Sequence, residues 1–189
     1  MIQDNYCSDQ SFCLPDGQLC YIKPFDEHSL PDILRIENKV DSHPWSQRNF
    51  SESIASTHIC RGVTLNDQWV AYAVFSLAAD EAELLILGVD PAFQRQGIAS
   101  MFLSSMETEL RVSADEMFLE VRSSNSRAIA LYEALEFNCI GERKNYYPAT
   151  PQVPLHESAS KAQAKAAKLS SKREDALIYG KRISENLCL

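Results

Sequence analysis

Apolar residues recur along the chain in two rhythms. Seven short runs, Leu19–Phe25, Cys60–Leu65, Trp69–Leu77, Ala82–Val89, Glu116–Val121, Phe137–Tyr146 and Ala176–Ile183, have the β-branched, aromatic and small apolar composition of strands. Between them apolar residues return every three or four positions, as on a helix with one buried face. Leu30, Ile33, Leu34 and Glu37 mark a helix from Asp26 to about Val40, with Asp26 or Ser29 near its start. His43-Pro44-Trp45-Ser46 breaks that helix, and Ser46 is placed to cap another reaching about Thr57. Ile98, Phe102, Met106 and Leu110 define a third helix over Arg95–Arg111, and Ala128, Leu131, Tyr132 and Leu135 a fourth over Asn125–Glu136. Asn66-Asp67 reads as a hairpin turn. The order is strand, two helices, three meandering strands, helix, strand, helix and two strands, which predicts an α/β chain with a mixed, mostly antiparallel sheet. Residues 1–18 hold turn formers with little periodicity and read as a loose N-terminal extension to a single domain over 19–189.

Composition narrows the classes. With 189 residues, 45% hydrophobic and 23% charged, the chain is an ordinary globular protein long enough for a real core. No apolar run approaches the ~18 residues of a membrane helix. The start, MIQDNYCSDQ, lacks the basic and apolar segments of a secretory signal, so a cytoplasmic protein without membrane contact is expected. A net charge of −8 argues against general affinity for nucleic acid, and no DNA partner is expected. The six cysteines form no C-x-x-C pair and the four histidines no ligand cluster. The cysteines read as small buried hydrophobes in a reducing compartment, and no metal is expected.

One segment departs from this balance. Residues 151–173 are rich in alanine and carry Lys161, Lys165, Lys168 and Lys172 four, three and four apart, one face of a helix. With Arg173 the segment adds five positive charges against one negative, leaving −12 on the rest of the chain. It has little to bury and reads as a solvated insertion, or as a binding arm for an anionic partner.

The stretch Val89-Asp90-Pro91-Ala92-Phe93-Gln94-Arg95-Gln96-Gly97-Ile98-Ala99-Ser100 places small and polar residues directly between a buried strand and a helix. The first amides of a helix have no intrahelical partners and sit at the positive end of its dipole. Small residues there let a phosphate reach those amides, and Arg95 adds charge; a tight turn relieved by Gly97 is the plainer alternative. Glu120 is a second anomaly, interrupting Met117-Phe118-Leu119-Glu120-Val121 where an apolar residue is expected. It suits a general base, or a half-exposed carboxylate paired with Arg122 on the same strand face.

Gln94 to Ala99 after a V-D-P strand end fits R/Q-x-x-G-x-G/A, and the chain resembles the GCN5-related N-acetyltransferases (GNAT). "IENKVDSHPWSQRNF", "VDPAFQRQGIAS", "LEVRSSNSRAIALYEALEF", "RKNYYP" and "EDALI" resemble, in order, the bacterial ribosomal-protein alanine N-acetyltransferases, the RimI family. That resemblance covers roughly residues 19–150 and 174–183. It implies the GNAT fold, with a splay between the fourth and fifth strands of the order above, and acetyl-CoA as donor. The implied acceptor is the N-terminal alanine of small-subunit ribosomal protein eighteen. It further implies that Leu87, Gly88 and Val89 offer backbone to the acetyl-pantetheine arm and that Arg95, Gln96, Gly97, Ile98, Ala99 and Ser100 cradle the pyrophosphate. Asn125 would contact the lower part of the cofactor. Glu120 would be the base, Tyr132 the acid that protonates the departing thiol, and His43, Pro44, Trp45, Tyr146 and Tyr147 the lining of the peptide entrance. The extension at 1–18 and the insertion at 151–173 depart from that family; the insertion's lysines are candidates for contact with ribosomal RNA on a ribosomal particle.

No G-x-S-x-G elbow is present and no cysteine adjoins a histidine motif, so direct attack in a ternary complex fits better than an acyl-enzyme. Two other readings stay open. One keeps the fold and moves the acceptor to a lysine side chain or a small-molecule amine. The other is a non-catalytic acetyl-CoA-binding, ribosome-associated module, against which Glu120 and Tyr132 both stand.

Overall fold

The computed structural model describes residues 10–148 and 173–184. It divides into two compact units, the chain up to Phe118 with Lys181 onward, and Leu119–Gly180.

In the first unit five strands stand in the order β1 (Gln10–Cys13), β2 (Leu19–Pro24), β3 (Ile59–Leu65), β4 (Gln68–Ala78) and β5 (Glu81–Val89), each antiparallel to the next. Asn66 and Asp67 at the β3–β4 turn have φ of 50° and 61°, the left-handed pair that a tight hairpin requires and that Asn and Asp tolerate. Two helices follow β2. Helix α1 (Leu30–Val40) starts after Ser29, with the Asp26 carboxylate accepting from the Ser29 amide and hydroxyl. Helix α2 (Gln47–Ile54) starts at Ser46 in a reciprocal cap with Asn49. Phe25, Leu30, Ile33, Ile36, Phe50, Cys60, Tyr72 and Val74 form one buried cluster beneath them. Helix α3 (Ile98–Leu110) buries Ile98, Phe102, Leu103, Met106 and Leu110, the stripe its four-residue spacing predicts.

In the second unit β6 (Glu116–Arg122, beginning just before it) neighbours β8 (Glu174–Arg182), which pairs antiparallel with β7 (Asn138–Tyr147). Helix α4 (Ser126–Ala134) lies between β6 and β7 in sequence, with Tyr132 buried and Ala128, Leu131 and Leu135 half-buried. The expected α/β class therefore holds.

Three expectations need correction. The loose extension is not loose over residues 10–18: β1 adds a strand to the sheet edge, with Phe12 and Leu14 buried and Gly17 (φ 86°) in the turn. Only two apolar residues carry that strand, too few to register as a period. The third helix begins at Ile98 rather than Arg95, because Arg95 (φ 67°) and Gly97 (φ 87°) are both left-handed and cannot continue a right-handed helix. Of the cysteines, Cys20 and Cys60 are buried, and burial pushes the Cys60 thiol up to about 11, but Cys13 and Cys139 are exposed. Cys7, Cys188 and residues 149–172, with Lys161, Lys165, Lys168 and Lys172, lie outside the described residues.

Candidate active site

Strand β5 ends where the sequence placed the first cofactor contacts. Gly88 stands directly across from Tyr72 on β4, and a Cβ on Gly88 would come within 2.5 Å of the Tyr72 ring. The glycine is thus required by the close approach of a buried aromatic ring, whatever else its backbone does. Leu87 and Val89 on either side are half-buried.

Asp90 turns the chain out of the sheet. It is 2% exposed, accepts from the Ala92 amide at 3.2 Å, and meets Arg35 at 2.5 Å and Lys39 at 3.0 Å, both from α1. Burial alone would raise its carboxyl, but hydrogen bonds from Lys39, Ala92 and Arg35 and the Lys39 charge outweigh it and hold the acid below the usual range. Arg35 also donates to the Trp69 carbonyl, so the junction is tied to β4 as well. Asp90→Asn is expected to lower stability by roughly 1–3 kcal/mol at pH 7, since both cations are partly exposed. A depressed acid stabilises above its unfolded-state value, near 3.9, and loses that contribution as pH falls through the native one. Wild type and variant should therefore converge in thermal midpoint toward acid; a constant gap would remove Asp90's charge from the account.

After a single 3-10 turn over Pro91–Phe93, the loop is stitched to its own backbone by the Gln94 amide group donating to the Val89 carbonyl at 3.0 Å. Arg95 and Gly97 are exposed, and Gln96, Ala99 and Ser100 half-exposed. Gly97 offers α3 no side-chain cap, and among the described residues, chain neighbours aside, nothing lies within 4 Å of the position a Cβ would take there. The result is an open helix start with a cation beside it, and Ile98 anchoring it in the core.

The α1–α2 loop holds the first part of the expected peptide entrance. His43 and Pro44 are exposed; the His43 amide donates to Asp41 at 2.8 Å. Trp45 is half-buried, its ring 5.4 Å from Phe50, and its amide donates to Glu37 at 2.7 Å.

In the second unit, alternation along β6 buries Met117, Leu119 and Val121 on one face and puts Glu120 on the other. Its side chain is 14% exposed and pairs with Arg143 of β7 at 3.0 Å. Arg122, on the same strand face, donates to the Pro148 carbonyl at 2.9 Å, reaches Glu174 at 3.5 Å and stacks its guanidinium 4.4 Å over the Tyr147 ring. Arg143 lies 5.4 Å over Tyr146, and the two tyrosine rings meet edge to face at 5.0 Å. Glu120 and Tyr146 are thus brought together through Arg143, and Tyr147 joins them through the Tyr146 ring. On α4, burial, with a smaller contribution from Tyr147, pushes the Tyr132 hydroxyl well above its ordinary value, so it keeps its proton at neutral pH. Asn125 is exposed and caps α4, its carboxamide oxygen accepting from the Ala128 amide at 3.2 Å.

The acetyltransferase (GNAT) family pattern matches residues 27–137. The chain belongs to the GNAT acetyltransferase family. The ribosomal protein bS18-alanine N-acetyltransferase of Escherichia coli strain K12 is 37% identical over 130 residues, 68% of this chain and 88% of that protein. Its namesake in Salmonella typhimurium LT2 is 39% identical over 120 residues, 63% of this chain and 81% of that one. The crystal structure of the E. coli ribosomal-protein-S18-alanine N-acetyltransferase aligns with a TM-score of 0.73 and 33% identity, covering 90% of this chain and 99% of that one. This GNAT protein therefore has the expected fold, and the donor used by its family is acetyl-CoA. Among the described residues no helix is long and apolar enough to cross a membrane, and no group of three or more His, Cys, Asp or Glu side chains could hold a metal ion.

Sequence reasoning missed two buried acids of this GNAT chain as parts of the site's frame. Asp90 was visible only as part of V-D-P, and Glu37 only as one position in a helical stripe of otherwise apolar residues. A charged residue in such a stripe is itself a signal of a buried polar contact. Arg143 opens the RKNYYP motif, but its pairing with Glu120 gave no local signal, because that partner lies 23 positions back in the chain.

Proposed function

We propose that this protein transfers the acetyl group of acetyl-CoA to a protein N-terminal amine, the acceptor being the N-terminal alanine of ribosomal protein bS18, by direct attack in a ternary complex. The observation that carries the acceptor is the 37% identity reaching across 88% of the E. coli enzyme of that name. A ribosomal acceptor also puts the protein in the cytoplasm.

Bound acetyl-CoA supplies a thioester carbonyl open to an amine. Leu87, Gly88 and Val89 give the acetyl arm strand backbone. The amides at Arg95 to Ser100 receive the pyrophosphate; the left-handed, uncapped start at Gly97 with open space beside it and the Arg95 charge suit an anion. Asn125 contacts the lower part of the cofactor. Glu120 takes the proton that an N-terminal ammonium must lose before attack. Tyr132, kept neutral by burial, gives a proton to the leaving sulfur. His43, Pro44, Trp45, Tyr146 and Tyr147 line the peptide entrance.

The test is an intact-mass assay with acetyl-CoA on Ala-starting peptides beside N-blocked peptides containing lysine. Acetylation of the Ala-starting peptide alone is expected. Preference for the blocked lysine peptide would move the acceptor to a side chain, and binding without turnover would leave a non-catalytic module.

The lysine-rich insertion forms a contact with ribosomal particles in this reading, outside the peptide cleft. Deleting residues 152–172 should leave turnover of a short Ala-starting peptide within about threefold, since loop-closure costs change slowly with length. Co-sedimentation of the full chain with ribosomal particles should weaken steeply with salt and fall on deletion. Unchanged sedimentation would reduce the segment to a solvated loop, and collapse of peptide turnover in a folded deletion would put it in the catalytic site.

A further inference from the structure

We infer that Glu37 is a positioning residue for the acceptor: its buried carboxylate holds the 43–45 loop at one height above the sheet and so sets how tightly the peptide is bound. The inference rests on the reading that His43, Pro44 and Trp45 line the acceptor entrance. Glu37 is 1% exposed and sits on α1 among Ile33, Ile36 and Phe50, where its helical stripe calls for an apolar residue. Among the described residues its hydrogen-bond donors are the Trp45 backbone amide at 2.7 Å and the Tyr72 hydroxyl, neither of them a cation. A carboxylate buried without a cation is costly to keep, and an apolar side chain there would fill the core at no such cost. What an apolar side chain cannot do is receive the Trp45 amide. Burial also raises the Glu37 carboxyl, against the two hydrogen bonds that favour its charged form.

The same carboxylate joins two parts of the first unit. Tyr72 lies over Gly88, so the chain of contacts runs from the Trp45 amide through Glu37 and the Tyr72 hydroxyl to the β5 backbone. Trp45 is pinned on its other side by the Phe50 ring, and the next residue, Ser46, caps α2. The loop is therefore held at its backbone by Glu37 and at its side chain by α2. Arg35 and Lys39, on the same helix, hold Asp90 instead. Helix α1 thus addresses the acceptor loop and the phosphate-loop junction through different side chains, and the two can be perturbed separately.

Glu37→Ala is expected to raise KM for a short Ala-starting peptide by about tenfold or more, the equivalent of one lost buried hydrogen bond. The acetyl-CoA dissociation constant, measured by calorimetry, should move by less than about twofold, and kcat should fall less than KM rises. Glu37→Gln should recover most of the loss, because its amide oxygen still accepts from the Trp45 amide. A general loss of packing would instead weaken acetyl-CoA and peptide together without rescue by Gln. That parallel loss, or an unchanged peptide KM, overturns the inference. Should Glu37→Ala fail to fold, Tyr72→Phe keeps the ring over Gly88 and removes only the hydroxyl. A rise in peptide KM of roughly threefold with acetyl-CoA affinity unchanged then supports the role, and an unchanged KM overturns it. Absence of any acetylation by the wild-type protein would refute the acceptor reading itself, and is seen before a variant is made.

Discussion

Glu120→Gln is expected to lower turnover of an Ala-starting peptide by roughly 10²-fold or more at pH 7, with acetyl-CoA affinity left within about twofold. The acceptor amine has a pKa of about 8, so at neutral pH most of it is ammonium and cannot attack a thioester. A carboxylate can take the proton as the bond forms; a carboxamide of the same shape cannot. The substitution keeps the volume of the side chain, and the ion pair it removes has a partner, Arg143, that is 56% exposed. Such a pair is worth at most about 1 kcal/mol, so the fold should survive and the effect should lie in the chemical step. The sign of the pH dependence follows from the acceptor. As pH rises past about 8 the free amine accumulates without help and the deficit of the variant should shrink. A pH–rate profile of kcat/KM for both proteins measures this. Near-normal turnover at pH 7 would remove Glu120 as the base, and a deficit constant across pH would mean that it orients the peptide rather than moving a proton.

The roles of Glu120 and its neighbours show where sequence reading reaches and where it stops. Glu120 stands out because it interrupts an apolar run, and the period-two alternation of β6 accounts for it by turning that side chain away from Met117, Leu119 and Val121. That it also meets Arg143 does not follow. Arg122 lies on the same strand face and reaches the Pro148 carbonyl, Glu174 and the Tyr147 ring, while Arg143 comes to Glu120 from β7. Each of those partners is 20 or more residues distant in sequence, where pairing is set by strand register and not by local pattern. The same division holds in the first unit. The helical stripe on α1 is legible, and so is the cap at Ser46, since both depend on residues within a few positions. The hydrogen bonds that Glu37 receives come from a loop eight residues away and a strand 35 residues away. The strand at Gln10–Cys13 leaves no pattern in the sequence, because Phe12 and the following Leu14 are its buried apolar side chains and two positions do not make a period. The helix start at Ile98 is a third case. Polar residues preceding a periodic run extend the apparent helix, while the positive φ at Arg95 and Gly97 ends it.

That backbone also determines the second large effect. Gly97→Val is expected to raise the acetyl-CoA dissociation constant by roughly thirtyfold, with the fold retained by circular dichroism. At φ 87° an L side chain is strained whatever space surrounds it, and a β-branched one most of all. The strain is worth roughly 1–3 kcal/mol and can be relieved only by rotating the peptide that leads into α3. That rotation re-aims the first-turn amides, the donors proposed for the pyrophosphate. Among the described residues, chain neighbours aside, no atom lies within 4 Å of the added Cβ, so the substitution should leave the core beneath Ile98 intact. What it does fill is the open space beside the helix start, which a bound phosphate would need. Gly97→Asn separates the two causes, because asparagine tolerates a left-handed backbone but still carries a side chain into that space. If re-aimed amides dominate, Asn should restore most of the affinity; if obstruction dominates, it should bind nearly as weakly as Val. Calorimetric titration of acetyl-CoA into the three proteins decides between them. Unchanged affinity in Gly97→Val would mean that the cofactor phosphates bind elsewhere on the protein.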